Sequence, residues 1–250
     1  AGLAASGTIT AKGIADASGV LLLVFVIAFF AWMFSSASWS PAERKRLLAI
    51  AVLFVASAIF WSVFEQAGST LNLFAERNTH NVVLGQSFPA SWYQSVPPLF
   101  VITFAAVFAA LWGRLGARNP SSTAKFTIGL FLLGLAFAVM IGAASVAATG
   151  VRVSPLWLFV SYLLQVWGEL CLSPVGLSAM STLAPARISG LVMGVWFLAL
   201  GVGSYLAGMA ASVYETMPLP TLFTLVTATA LGAALVLALL IRPIRRMLAH

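Results

Sequence analysis

The sequence predicts an all-α integral membrane protein, in which one short apolar helix precedes an even-numbered bundle of six spanning helices. Three observations predict it. Of the 250 residues, 61% are apolar and 8% charged, whereas a soluble domain carries about 25% charged residues. Seven apolar segments emerge at about 20–34, 47–74, 91–112, 126–149, 155–183, 188–214 and 218–241. The basic residues then fall almost wholly on one side when the segments are threaded alternately.

Residues 1–19, AGLAASGTITAKGIADASG, lack a basic-then-apolar signal pattern and read as an exposed lead-in to a fragment of a longer protein. Segment 20–34 is short against the ~20 residues a span needs. It tilts, extends into 14–19 or lies beside the bundle. A basic linker, 35–46, contains Pro41. The bundle proper covers 47–241, with Pro120 and Pro185 marking connections, and 242–250 is a basic tail. Arg44, Lys45, Arg46, Arg114, Arg118, Lys125, Arg187, Arg242, Arg245 and Arg246 share one side. The other side receives Arg77 and Arg152, plus Lys12 if the first segment spans. The heavy side is expected to be cytoplasmic, so the bundle starts and ends there.

Several classes are excluded. One cysteine, Cys171, allows no internal disulfide or cysteine metal cluster. His80 and His250 both lie outside the apolar runs, which argues against an intramembrane zinc site. No nucleophile motif or paired catalytic acids point to an enzyme, and no metal or other cofactor is expected. The net charge of +7 reports membrane orientation rather than a nucleic-acid partner.

Asp16, Glu43, Glu76 and Glu215 fall in loops or at segment ends, leaving Glu65 and Glu169 within spans. A carboxylate in hydrocarbon must be paired, hydrated or protonated. Each glutamate lies on a polar stripe: Trp61, Glu65, Ser69 and Asn72 in the second segment, and Ser161, Gln165, Glu169 and Ser173 in the fifth. Such stripes face a helix partner or a watery cavity. Singly, the serines and Gln165 suit interhelical hydrogen bonds, while the glutamates favour a cavity or an ionic partner. On the cavity reading, Gln165 and Ser69 line it too. No arginine or lysine is expected deep in the six later segments, so an ionic partner for Glu65 must come from outside this chain. Glu65 lies ~27 Å along its helix from Leu47, towards the outer face, and Glu169 ~21 Å along from Pro155. Two protonatable groups at different depths suit proton coupling, or a gate plus a binding site.

Gly190, Gly194, Gly201 and Gly208 form a small-residue stripe in the sixth segment that permits close helix approach. Trp196 projects nearly opposite, towards lipid or a cavity wall. Pro97 and Pro98 in the third segment and Pro174 in the fifth predict kinks, static or on ligand-lining helices.

FWSVFEQAGSTLNLFAERNT, SWYQSVPPLF, LWGRLGARNPSSTAKFTIGLFLLGLAF and SPLWLFVSYLLQVWGELCLSPVGLSAMSTLAPARISGLVMGVWFLALGVGSYLAG closely resemble the bacterial proton-dependent oligopeptide transporter (POT) family, over about residues 29–243. The resemblance implies a major facilitator fold of two six-helix bundles around a central cavity, with this chain as the C-terminal bundle. Segment 20–34 then resembles part of the extra inter-bundle hairpin. Function is implied as proton-coupled symport of di- and tripeptides across the bacterial inner membrane. The expected partners are peptide, protons, lipid and an N-terminal six-helix bundle. By the same resemblance Glu65 serves proton coupling and the outer gate, paired with an arginine of the other bundle. Glu169 receives the peptide amine, and Ser173, Trp61 and Trp196 line the peptide pocket. Pro97 departs from the pattern: many members carry a peptide-contacting asparagine there. The ExxER motif and a fourth-helix lysine that binds the peptide carboxylate are not in these 250 residues. The alternative is a same-fold transporter of nitrate, a drug or a modified amino acid.

Overall fold

The computed structural model describes residues 11–35, 39–83, 85–214 and 216–248. Glu215, the first ten residues of the lead-in and the last two of the tail lie outside them. Among the described residues the elements are helical apart from one two-stranded hairpin. Its elements are α1 (Ala11–Ser35), α2 (Pro41–Phe64), a 3-10 turn (Glu65–Ala67), α3 (Thr70–Asn78), β1 (Val82–Val83) and β2 (Gln86–Ser87). A second 3-10 turn (Ala90–Ser95), α4 (Val96–Leu115), α5 (Ser122–Ala147), α6 (Leu156–Leu183), α7 (Ser189–Ser212) and α8 (Leu219–Leu248) follow. Among the described residues seven helical stretches are long and apolar enough to cross a membrane, which makes this a multi-pass membrane protein.

α5 is the central helix, packed along α6 on one side and α8 on the other; α2 joins α7, α8 and α5, while α4 leans chiefly on α6. α5 and α6 can approach closely because Gly129 faces Gly168. Around this central helix Phe60 of α2, Phe126, Leu133 and Phe137 of α5, Tyr162 of α6 and Phe223 of α8 are fully buried. α1 sits at the periphery. Its Gly19 lies against the Tyr205 ring of α7, and Phe30 meets Phe54 of α2 edge-on, centroids 5.0 Å apart.

Element boundaries correct the sequence reading in several places. α1 begins at Ala11 rather than Val20, so the short segment does extend over 14–19, and much of the expected lead-in is helix. The supposed linker ends early, because Ser40 caps α2. Glu43 N–H donates to Ser40 Oγ (3.2 Å) and Ser40 N–H to the Glu43 carboxylate (2.8 Å), with Pro41 in the first helical position. The basic run Arg44–Arg46 thus forms the first turns of a spanning helix. At the other terminus α8 continues to Leu248 through Pro243, absorbing most of the tail. Pro97 and Pro98 do not kink a helix. They start α4, where their missing N–H groups have no helical partner to lose.

The glycine stripe also behaves differently. A Cβ on Gly190, Gly194, Gly201 or Gly208 would meet nothing within 4 Å, so the stripe faces away from the described bundle. The close approach of α7 to α2 is made by Gly203, where a Cβ would collide with the Cβ of Trp61.

Two ends can be distinguished. At the basic end, the starts of α2 and α5 and the ends of α6 and α8 surround a depression lined by Ala49, Ser122, Ser178 and Arg245. There Arg187 lays its guanidinium 3.8 Å over the Trp39 ring and donates to Glu43 at 3.2 Å. At the opposite end Thr79 bridges Val153. The Tyr214 hydroxyl donates to Asn78 (3.3 Å), with the Arg77 guanidinium 5.9 Å from its ring. Burial pushes the Tyr214 phenol up to about 12, with Arg77 opposing, so it stays a donor at neutral pH.

Candidate functional site

The helix expected across 47–74 breaks at its glutamate. After Phe64 the chain tightens into the 3-10 turn Glu65–Ala67. Ser69 leaves helical geometry (φ −117°, ψ −88°) and α3 restarts at Thr70. The stripe of Trp61, Glu65, Ser69 and Asn72 therefore does not run along one helix. Polar side chains bond the backbone around the break and tie it to α7. Gln94 Nε2 donates to Ala67 O (2.9 Å), Ser69 Oγ to Glu65 O (3.3 Å), and Gln66 Nε2 to both Ser62 O (3.1 Å) and Ala207 O of α7 (3.3 Å). Thr70 Oγ1 donates to the Gln66 amide oxygen. Gln66, 1% exposed, fastens the break to α7. The sequence signal was its position beside Glu65, but an amide can equally well line a cavity.

The break brings the two intramembrane glutamates to one opening. Glu65, Glu169, Phe64, Gln94, Pro97 and Pro98 line a cleft of about 450 Å³. Glu169 also borders a cavity of about 570 Å³ between α4, α5 and α6, together with Trp112, Lys125, Ser173 and Pro174. The two openings share Val101 and Glu169, so Glu169 stands at their junction. Pro174 deprives the Leu170 carbonyl of its helical donor, and both Pro174 and Ser173 border the cavity. Ser173 Oγ is buried without a hydrogen-bond partner among the described residues.

The remaining expected residues distribute as follows. Trp61 is wedged between Phe60 and Phe64 (centroids 5.6 and 5.4 Å), its Nε1 buried and unpartnered. Trp196, 6% exposed, packs its ring against Gly176 and edge-on to Phe126 at 6.3 Å. It is not among the residues lining either opening beside Glu169. Gln165 is buried and donates to Ser161 Oγ of its own helix (3.0 Å), so it neither lines an opening beside Glu169 nor makes the expected bond to a neighbouring helix among the described residues. Ser69 is spent on the Glu65 carbonyl.

Lys125 is the residue that sequence reasoning misplaced. Assigned to a connection, it lies in the first turn of α5, 8% exposed, its ammonium 4.4 Å from the Trp112 ring centroid. A cation therefore does line the cavity, from the first turn of α5 and not from deep within the span. Among the described residues no group of three His, Cys, Asp or Glu side chains is placed to hold a metal.

Fold and cleft together define a multi-pass helical membrane bundle that presents two carboxylates and an ammonium on open faces. Comparison with known proteins then specifies it. The POT family model matches residues 15–225. The peptide transporter YePEPT of Yersinia enterocolitica subsp. palearctica is 44% identical over 239 residues, covering 91% of this chain and 47% of that protein. A di-/tripeptide transporter of Lactococcus lactis subsp. cremoris is 30% identical, covering 92% and 47%. A crystal structure of a peptide transporter POT in complex with sulfate superposes with a TM-score of 0.91 at 37% identity, over 98% of this chain and 50% of that one. The chain belongs to the POT family, and it spans about half the length of the relatives it matches.

Proposed function

We propose that this chain supplies the C-terminal bundle of a proton-coupled symporter of di- and tripeptides in the bacterial inner membrane. The observation that carries the reading is the convergence of Glu65 and Glu169 on one cleft. A peptide brings an ammonium, and a carboxylate on an open face within the bundle is its natural counter-charge. Glu169, at the junction of both openings, takes that role, with Ser173 one turn further along. Glu65 sits where the helix is broken, and takes and releases the coupling proton as its ionic partner on the N-terminal bundle approaches and withdraws. Trp61, against the same break, and Trp196, behind α6, hold the wall in shape. α1 belongs to the hairpin between bundles. The Lys/Arg asymmetry supports a cytoplasmic basic end and C-terminus, and the proton gradient drives the cycle without a cofactor. The reading is of a carrier, not an enzyme. The names of the relatives, peptide transporter and di-/tripeptide transporter, support the substrate class.

The test is uptake of labelled dialanine into liposomes containing the full-length protein, driven by an inward proton gradient. Uptake should vanish with a protonophore and in Glu169→Gln. Gradient-driven flux of another solute with dialanine ignored would reassign the substrate to the same-fold alternative.

A further inference from the structure

The Lys125 side chain is largely buried and carries its ammonium to the cavity wall against the face of one indole, 4.4 Å from the Trp112 ring centroid. Among the described residues it makes no hydrogen bond or ion pair. Attraction to the Trp112 ring offsets only part of the hydration an ammonium loses on burial. A cation so placed is served by an anion that arrives.

The surrounding wall has the chemistry for one. Trp112 and Ser173 border the same cavity, and their Nε1 and Oγ atoms are buried without hydrogen-bond partners among the described residues. The indole N–H can only donate, the ammonium can only donate, and the hydroxyl can do either. Three unserved donors around one opening match an acceptor with two oxygens, a carboxylate.

Position along the bundle follows from the glycine crossing. A Cβ on Gly129 would lie 2.8 Å from Gly168 O, so these residues stand level. α5 and α6 run antiparallel, and Lys125 precedes Gly129 by one turn. It is therefore level with Leu172 and Ser173, about 6 Å towards the basic end from Gly168. Glu169 and Lys125 thus border one cavity about a turn apart, with Ser173 at the level of the lysine. That separation is within reach of a peptide's amine and one of its own side-chain carboxylates.

We propose that Lys125, Trp112 and Ser173 form a carboxylate subsite that favours peptides carrying an acidic side chain. The proposal rests on the peptide-transport reading, in which Glu169 holds the amine and the main-chain carboxylate goes to the other bundle. The negative charge of Glu169 is then answered by the substrate's own ammonium, so the incoming acidic side chain meets a net positive corner.

The experiment is competition against labelled dialanine uptake by Ala-Glu and Ala-Gln, isosteres that differ in one charge, using the full-length protein in liposomes at neutral pH. The wild type should be inhibited at about tenfold lower concentration by Ala-Glu than by Ala-Gln, the discrimination a hydrogen-bonded charge supports. Lys125→Met, which keeps the packed stem, should remove the preference, and Lys125→Arg should retain much of it. Trp112→Phe, which keeps a ring but deletes the donor, should weaken it, and gives a second route if Lys125→Met does not fold. Absence of a preference in the wild type overturns the proposal by itself. A preference surviving Lys125→Met, or an equal loss for both dipeptides, overturns it in favour of a lysine that only clamps α4 to α5. If the wild type takes up no dialanine, the transport reading fails and this subsite falls with it.

Discussion

Gly129 of α5 and Gly168 of α6 meet backbone to backbone. A Cβ on either would come within 2.7–2.8 Å of the other's carbonyl oxygen. No flexible side chain lies between them to yield. Gly168→Ala should therefore push α6 off the central helix, at a cost of about 1–3 kcal/mol as overpacking usually does. A lowered melting temperature of the detergent-solubilised full-length protein checks this, and Gly190→Ala, which meets open space, should leave it nearly unchanged.

Gln66 offers a second stability test. Gln66→Leu keeps the volume, but it takes the donor from Ala207 O and the acceptor from the buried Thr70 hydroxyl. Leaving such groups unserved costs roughly 1–3 kcal/mol. The melting temperature should fall, and the double change Gln66→Leu with Thr70→Val should recover part of the loss by removing the orphaned hydroxyl.

Glu65→Gln separates coupling from binding. The amide keeps the shape at the break but cannot take up or release a proton. Gradient-driven uptake of dialanine should fall to background, while exchange of labelled for unlabelled peptide at equal pH persists. Loss of both activities together would place Glu65 in binding and sink its coupling role.

Pro97 occupies the first turn of α4 and borders the Glu65–Glu169 cleft. Pro97→Asn supplies a side-chain amide to the cleft, at a position where the helix loses no hydrogen bond. Dialanine KM should drop several-fold, the effect of one added hydrogen bond. An unchanged KM would show that the cleft recognises peptide without this position.

The apolar segments and their order were legible because a spanning helix needs a run of apolar residues whatever its neighbours do. The ends were less so, because capping and helix continuation are local hydrogen-bond matters that hydropathy does not register. Ser40 and Glu43 start α2 six residues before its apolar run, inside a stretch that composition assigns to a linker. The two glutamates were found because charge in an apolar run is rare. The break beside Glu65 was not, since FEQAGS contains no proline and its single glycine is tolerable in a helix. Lys125 escaped for the converse reason. Charge pattern places a lysine next to PSST in a loop, and only the packing of Trp112 over it shows that it belongs to the cavity. Gly203 rather than the regular stripe made the close approach because periodicity identifies a face but not what that face meets.

The two ends of the bundle are fastened by different kinds of bond. Opposite the basic end, backbone joins backbone: Val153 N–H to Asn78 O at 2.8 Å and His80 N–H to Val153 O at 2.9 Å, with Tyr214 bonded to the same Asn78. At the basic end the corresponding tie is a stacked and charged side-chain group, Arg187 on Trp39 and Glu43, open to water and to salt. One end is riveted and the other latched. Hydrogen exchange should accordingly find amides around 78–82 and 153 slower than those around 184–188, and raised ionic strength should widen that gap by loosening the latch alone.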